Sequence, residues 1–409
     1  MNKREKEKAL RAIGVALLVW QVIAEWVKLI IPFIQWEIKP RADMWQIALI
    51  NTIGNGFNLI GALILGFAVD RWGFRSCSVA ATVSQGLLFL LCAAAEMLPL
   101  WLAIQALRLG DHFKQICEAQ VAWLSSDVSP AERTQRILAL SIPAGLALVL
   151  GPLAAVQIIM AFNNTRLAAA GAGVSLFIAL LPCVLFLVPE PDRSVSGGPK
   201  LPSLSAYTEL LRSSSLRRLL LYKLLVELPF QAFDTMSRTY MVFFLVHTPS
   251  QTAYTIAIAG GVTLFTCTFL IRFLQRFLNP LRLIQAALAY LVLLYAAYGP
   301  FTDHSSLIQL VPLQMIGVSI CLSELNAQIL NSGGKEEMGK LAGLSQLVTL
   351  AAMTIMPATS GYFLYHTQIS MVCYASAGIS ALALIVVSLT GKFLAKEQFL
   401  LPSQKSYMD

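Results

Sequence analysis

The chain has 409 residues, 57% of them hydrophobic and only 13% charged, with a formal net charge of +8. Soluble domains hold about 45–50% apolar and about 25% charged residues, so this composition excludes an ordinary soluble enzyme or regulator and specifies an integral membrane protein. In such a chain the excess of Lys and Arg marks loops at one membrane face, not a nucleic-acid surface.

A helix needs about 20 mostly apolar residues to cross a bilayer, and the chain offers about twelve such runs. Their cores lie at 11–35, 46–69, 78–98, 100–125, 136–161, 167–188, 218–246, 252–275, 281–299, 306–330, 341–365 and 370–391. The opening "MNKREKEKALRAIGVALLVWQVIAEW" has the basic front of a secretion signal. Its apolar part continues past Trp26 with no small-x-small cleavage site, so it reads as a retained first span. After the sixth run comes "PEPDRSVSGGPKLPSLSAYTELLRSSSLRR", whose Pro, Gly and Ser content is that of a linker.

The expected fold is an all-α membrane protein with twelve transmembrane helices in two six-helix bundles. An N-terminal bundle covers 1–188, a linker 189–217, a C-terminal bundle 218–391 and a tail 392–409. With the N-terminus in the cytoplasm, Lys and Arg favour the inner face by roughly seven to one, the sign that the positive-inside rule requires. Both termini and the linker then lie inside. The seven cysteines fall in or beside apolar runs without metal-ligand spacing, and read as free thiols; no cofactor or metal is expected. Asn163-Asn164-Thr165 is a glycosylation sequon in a very short outer loop.

Between the second and third runs stands "GFAVDRWGFRS", 66–76. Gly66 lets a neighbouring helix approach closely. Asp70 at a helix end opposes the helix dipole and needs a positive partner. Gly73 permits a tight reversal, and Arg71 and Arg75 are available for acids at neighbouring helix ends. Together they form an expected gating latch that holds two bundles shut at one face.

Ionisable groups at membrane depth are costly and mark function. In the fourth run, at 100° per residue, Arg108, Asp111, Gln115 and Glu118 fall within about 80° of one another. In the seventh, Lys223, Glu227, Gln231, Asp234 and Arg238 do the same. The first run adds Gln21, Glu25 and Lys28, the second Asn51, Asn55 and Asn58, and the tenth Glu324 with Gln328 and Asn331. Local pairs at i,i+3 or i,i+4, such as Glu25 with Lys28 or Asp234 with Arg238, offer a purely structural use for some of them. Several polar faces in apolar helices make best sense around one shared wet cavity, a path for substrate and protons. Glu227, followed by the helix-bending Pro229, is the first candidate for the proton-carrying acid; Asp111 and Glu25 follow.

The halves also echo each other. "TQRILALSIPAGLALVLGPLAA" after the fourth run and "EMGKLAGLSQLVTLAAMTIMPATSG" after the tenth align Ser141 with Ser345 and bring Pro152 near Pro357.

With Gly66, Asp70, Arg71, Gly73 and Arg75 in register, 66–76 resembles the loop motif of the major facilitator superfamily. The six-plus-six layout agrees with it over nearly the whole chain. "GLALVLGPLAA" resembles the fifth-helix motif of drug:proton antiporters through Gly145, Gly151 and Pro152, although Ala154 and Ala155 replace its usual glycines. "EAQVAWLSSDVSPAER" is similar to a stretch of the organic-cation-transporter-like, tetracycline-resistance-like solute carriers. The resemblance implies a monomeric secondary transporter that moves a small organic solute, often a cation, in exchange for protons by alternating access. The alternatives are a proton-independent facilitator and a non-transporting membrane adaptor or receptor. No nucleotide-binding loop or nucleophile–base set is found, and an enzyme is not expected.

Overall fold

The computed structural model describes residues 3–38, 41–125, 128, 136, 140–187, 210–300, 305–332, 338–366 and 369–399. Side chains at 65–67 and 69–71 lie outside that description. Every regular element among the described residues is a helix. In chain order they are α1 (Lys3–Glu37), α2 (Met44–Ala94), α3 (Leu98–Ile104), α4 (Phe113–Leu124), α5 (Ser141–Phe162) and α6 (Thr165–Ser175). The second half supplies α7 (Ser214–Phe243), α8 (Pro249–Phe265), α9 (Pro280–Tyr298), α10 (Ser305–Asn331), α11 (Met338–His366) and α12 (Ile369–Phe399). Short π-helical turns prolong α6 to Leu187, and another joins α8 to a last turn ending at Leu274.

Local chemistry fixes several boundaries. Asp43 and Gln46 close a capping box at the start of α2, and Thr248 with Gln251 does the same for α8. Asn164 of the sequon caps α6 through the Arg166 and Leu167 amides. Inside α2, Gly73 has φ 84 and ψ 167, a conformation a side chain would oppose. Gly61 and Ser84, on either side of it, both meet the Leu109–Gly110 backbone. The chain therefore doubles back at Gly73, and α2 is two antiparallel arms.

Ten helices among the described residues are long and apolar enough to cross a membrane. The two further runs expected from the sequence miss that mark for physical reasons. The fourth is broken: α3 gives way to a 3-10 turn over Gln105–Gly110, and Asp111 has ψ 58 before α4 begins. The seventh, α7, is one helix of 30 residues, but Arg217, Arg218, Lys223, Glu227, Asp234 and Arg238 lower its apolar character.

Buried apolar side chains gather into separate cores. One comes almost wholly from residues 9–184, with Ala253 the exception. A second is drawn from residues 216–387. A third joins Met44 and Ala48 of α2 to side chains of the second half. None of the seven cysteines forms a disulfide.

Candidate functional site

The end of the molecule where α1 finishes is called here the far end. Several contacts gather it. Arg166 at the start of α6 pairs with Glu37 at 3.2 Å. Trp36 meets Phe243 of α7 edge-on at 4.7 Å, while the Arg41 guanidinium lies 3.5 Å over the same indole. Trp45 packs edge-on against Tyr362 of α11 at 5.5 Å. A cation held over an aromatic face is stabilising, so Arg41, Trp36 and Phe243 form one cluster that joins α1 to α7.

Deeper in the molecule, Arg238 Nη2 of α7 donates to Glu25 Oε2 of α1 at 2.9 Å, with both side chains about nine-tenths buried. Lys28 Nζ, more than half exposed, holds the other oxygen, Oε1, at 2.6 Å. The sequence offers Asp234 as a local partner for Arg238. The guanidinium instead bonds across the chain's two halves. Its Nε and Nη1 meet no acceptor among the described residues.

Farther along α7, Glu227 accepts from Thr349 Oγ1 of α11 at 2.6 Å and from Gln231 Nε2 at 3.0 Å. Lys223 Nζ donates to Ser345 Oγ at 2.7 Å and to Asn326 Oδ1 at 3.0 Å. The Ser345 hydroxyl also donates to Asn326, at 2.8 Å. Thus an acid and a base, both buried, are each held by neutral groups, from α10 and α11 and, for Glu227, also from Gln231 of α7 itself. Glu324 of α10 takes the Gln275 amide at 2.5 Å and stands apart from this cluster.

The fourth-run residues need a correction. A helical-wheel argument places Arg108, Asp111, Gln115 and Glu118 on one stripe, but the chain is not α-helical between 105 and 112. Arg108 sits on the 3-10 turn and its Nη1 donates to Asn55 Oδ1 of α2 at 2.9 Å. Asp111, at the break, accepts from Gln85 Nε2 at 2.9 Å, and Gln85 Oε1 in turn accepts from Trp20 Nε1. Glu118 pairs with Lys114 at 3.7 Å. Gln115 Oε1 and Asn58 Oδ1 are buried with no donor among the described residues. The break docks on α2 where Gly54 faces Gln105 and Arg108, and Gly61 faces Leu109 and His112. An irregular segment at this depth is tolerated only inside protein or beside water.

Asn55 reaches further. Its Nδ2 donates to the Met353 carbonyl of α11 at 2.6 Å. One turn away, Thr52 Oγ1 accepts from the Ala358 amide at 3.0 Å.

Of the antiporter-like motif, Gly151 lies on α1, where an added Cβ would stand 2.7 Å from the Val22 carbonyl oxygen. Gly145 faces Leu264 of α8, and Pro152 lies within α5. In the expected latch, Gly73 makes the reversal and Arg75 is half-buried. The side chains of Asp70 and Arg71, and the surroundings of Gly66, lie outside the described residues. Sequence reasoning missed Thr52, Gln85, Gln275, Asn326 and Thr349. Each is a neutral side chain, marked only by the charged or orphaned group it serves on a distant helix.

The family model described as Major Facilitator Superfamily matches residues 23–357. No curated protein matches the chain by sequence. Among solved structures, the human organic anion transporter MFSD10 (TETRAN) superposes with a TM-score of 0.70 at 16% identity, covering 95% of this chain and 100% of its own. A mutant of the nucleoside transporter NupG gives 0.68 at 12% identity, over 93% and 99%. At such identities the likeness speaks for the fold, and the family match for membership. The chain belongs to the major facilitator superfamily, as a multi-pass membrane transporter and not an enzyme.

Proposed function

We propose that the protein is a secondary active transporter that moves a small organic solute by alternating access, in exchange for protons. In this reading twelve spans form two six-helix bundles, over 1–188 and 218–391, joined by a linker whose face also holds both termini. The broken fourth run and the charged α7 are the two spans that hydropathy alone omits. The solute path runs between α1, the fourth run, α7 and α10, with Asn55 and Asn58 of α2, and is lined by Glu25, Lys28, Arg108, Asp111, Gln115, Glu118, Lys223, Glu227, Gln231, Asp234, Arg238 and Glu324. Gly66, Asp70, Arg71, Gly73 and Arg75 serve as the gating loop.

One observation carries the reading: Glu227 is buried beside α11 and, among the described residues, its carboxylate takes a hydroxyl and an amide donor. Such an acid can alternate between a proton and a cationic solute, because among the described residues no positive charge is bonded to it and the nearby Lys223 ammonium is held by Asn326 and Ser345 instead. The test is purified protein in liposomes loaded with a pH-sensitive dye, given a proton gradient and a panel of organic cations, anions and zwitterions. Solute-evoked proton movement that disappears in Glu227→Gln supports the assignment. Wild-type flux and pH dependence in that variant reject it.

A second reading, an organic anion as solute, draws on Lys223, whose buried ammonium has neutral partners in Asn326 and Ser345. The fold-level likeness to a protein described as an organic anion transporter agrees with it. Under that reading Lys223→Met abolishes uptake of the anions in the panel and leaves the cations untouched.

A further inference from the structure

Pro357 lies inside α11. Proline has no amide hydrogen, so the carbonyl four residues earlier loses its helical donor. That carbonyl belongs to Met353, and it is the group that Asn55 Nδ2 reaches from α2 at 2.6 Å. At the next step of the ladder, the Ala358 amide turns to Thr52 Oγ1 at 3.0 Å. Thr52 and Asn55 are three residues apart and so share one face of α2. The carbonyl that Pro357 leaves without its helical donor, and the amide that follows Pro357, thus meet side chains from the other half of the molecule.

The Asn55 amide has no choice of orientation. A carbonyl can only accept, so Nδ2 faces Met353; a guanidinium can only donate, so Oδ1 faces Arg108. Arg108 Nη1 supplies that bond at 2.9 Å. It does so from the 3-10 turn, three residues before the break at Asp111. A single amide therefore links the irregular charged segment of one half to the proline-freed carbonyl of the other.

We propose that Asn55 is a positioning residue that couples the Arg108–Asp111 break to the angle of α11, by filling the hydrogen-bonding gap that Pro357 opens. When Arg108 is drawn toward a solute or an acid, the amide loses its fixed orientation, the Met353 carbonyl is released, and the α2–α11 contact gives way. This deepens the alternating-access reading and rests on it, but the coupling is measurable without any solute.

The experiment places spin labels at Met160 and Tyr365, which are exposed on α5 and α11 near the far end. Distance distributions are recorded in lipid nanodiscs for the wild type, Asn55→Leu, Pro357→Ala and the double variant. Asn55→Leu is expected to raise the ratio of open to closed far-end populations by a factor of about 10 to 100. In the Pro357→Ala background the helix supplies its own donor, and the same change moves the ratio by less than about threefold. Arg108→Gln shifts the ratio in the same direction as Asn55→Leu, and combining the two adds nothing, as expected of one coupled unit.

An equal effect of Asn55→Leu in both backgrounds, no shift at all, or additivity with Arg108→Gln overturns the proposal. If Asn55→Leu alone does not fold and Pro357→Ala restores it, the proposal stands; if neither folds, Asn55 has another duty and the proposal falls. A wild type silent in the liposome panel, with the distance cycle intact, removes the transport reading and leaves the coupling.

Discussion

The halves of the chain meet along two seams of opposite chemistry. Where α5 packs on α8, the contact is made by absence. Gly260 rests on the α5 backbone, so that an added Cβ would lie 2.8 Å from Leu148 Cβ and 3.0 Å from the Val149 nitrogen; Gly145 faces Leu264 in return. Where α1 and α2 meet α7 and α11, the contact is made by specific partners: Glu25 with Arg238, Asn55 with Met353, Thr52 with Ala358, Trp36 with Phe243. Bare backbones in van der Waals contact have no preferred register and can pivot. Directed hydrogen bonds and an ion pair hold one arrangement and must be exchanged for others when it changes. Under the proposed alternating access, the first seam would act as a bearing and the second as a catch.

The largest way to break this contrast is to leave the catch with an uncompensated charge. Glu25→Gln strands the buried Arg238 guanidinium and is expected to cost about 3–5 kcal/mol of stability, read as a lowered thermal midpoint in detergent. Adding Arg238→Gln should recover most of that stability without recovering transport. A midpoint unaffected by Glu25→Gln would show that Asp234, four residues back on α7, and solvent already compensate the guanidinium.

The bearing fails through bulk. Gly260→Ala is expected to cost about 1–3 kcal/mol, because the atoms it meets are backbone and cannot swing aside. Its neighbour gives the matched control. Gly261 has nothing within 4 Å of an added Cβ, so Gly261→Ala should be neutral or stabilising by up to about 1 kcal/mol. Equal effects at the two positions, in the same melting experiment, would mean that helix propensity and not the seam decides.

At the far end, Trp36→Ala removes the ring shared by Arg41 and Phe243. Ring pairing of this kind contributes about 0.5–1.5 kcal/mol beyond area burial. The variant should open the far end more often, seen as faster thiol labelling of a cysteine placed at Leu245. The smallest effect concerns the entry to α8. Val246 has φ 51 and is 72% exposed, a conformation that β-branched residues resist. Val246→Asn should raise the thermal midpoint through a gain of about 1 kcal/mol.

How much of this was readable from the residues depends on helix continuity. The α7 stripe runs along an unbroken helix, so its 100° phase places Lys223, Glu227 and Gln231 on related faces, and the helix axis carries them to their partners. The same arithmetic fails in the fourth run because Gly110 and Asp111 interrupt the phase. The reversal at Gly73 is announced by glycine chemistry. The α2–α11 catch is half announced: Pro357 declares an orphaned carbonyl at Met353, but nothing local says that Asn55, 298 positions away, will fill it. Neutral partners such as Thr349 and Asn326 carry no signal beyond ordinary polarity.

The charge density of α7 also bears on how the protein is made. A charged residue at the centre of a lone helix costs about 2.5–3.5 kcal/mol to insert into lipid, and α7 carries Lys223, Glu227, Asp234 and Arg238. Emerging from the ribosome by itself, it is a poor candidate for lateral release into the bilayer. Its principal charged partner, Glu25, is synthesised some 200 residues earlier. If α7 is a span, as proposed, the first half is expected to act as its template, offering a slot whose counter-charge is already in place. The second half expressed alone should leave α7 stranded at the interface, and co-expression of the first half from a separate message should bring it in.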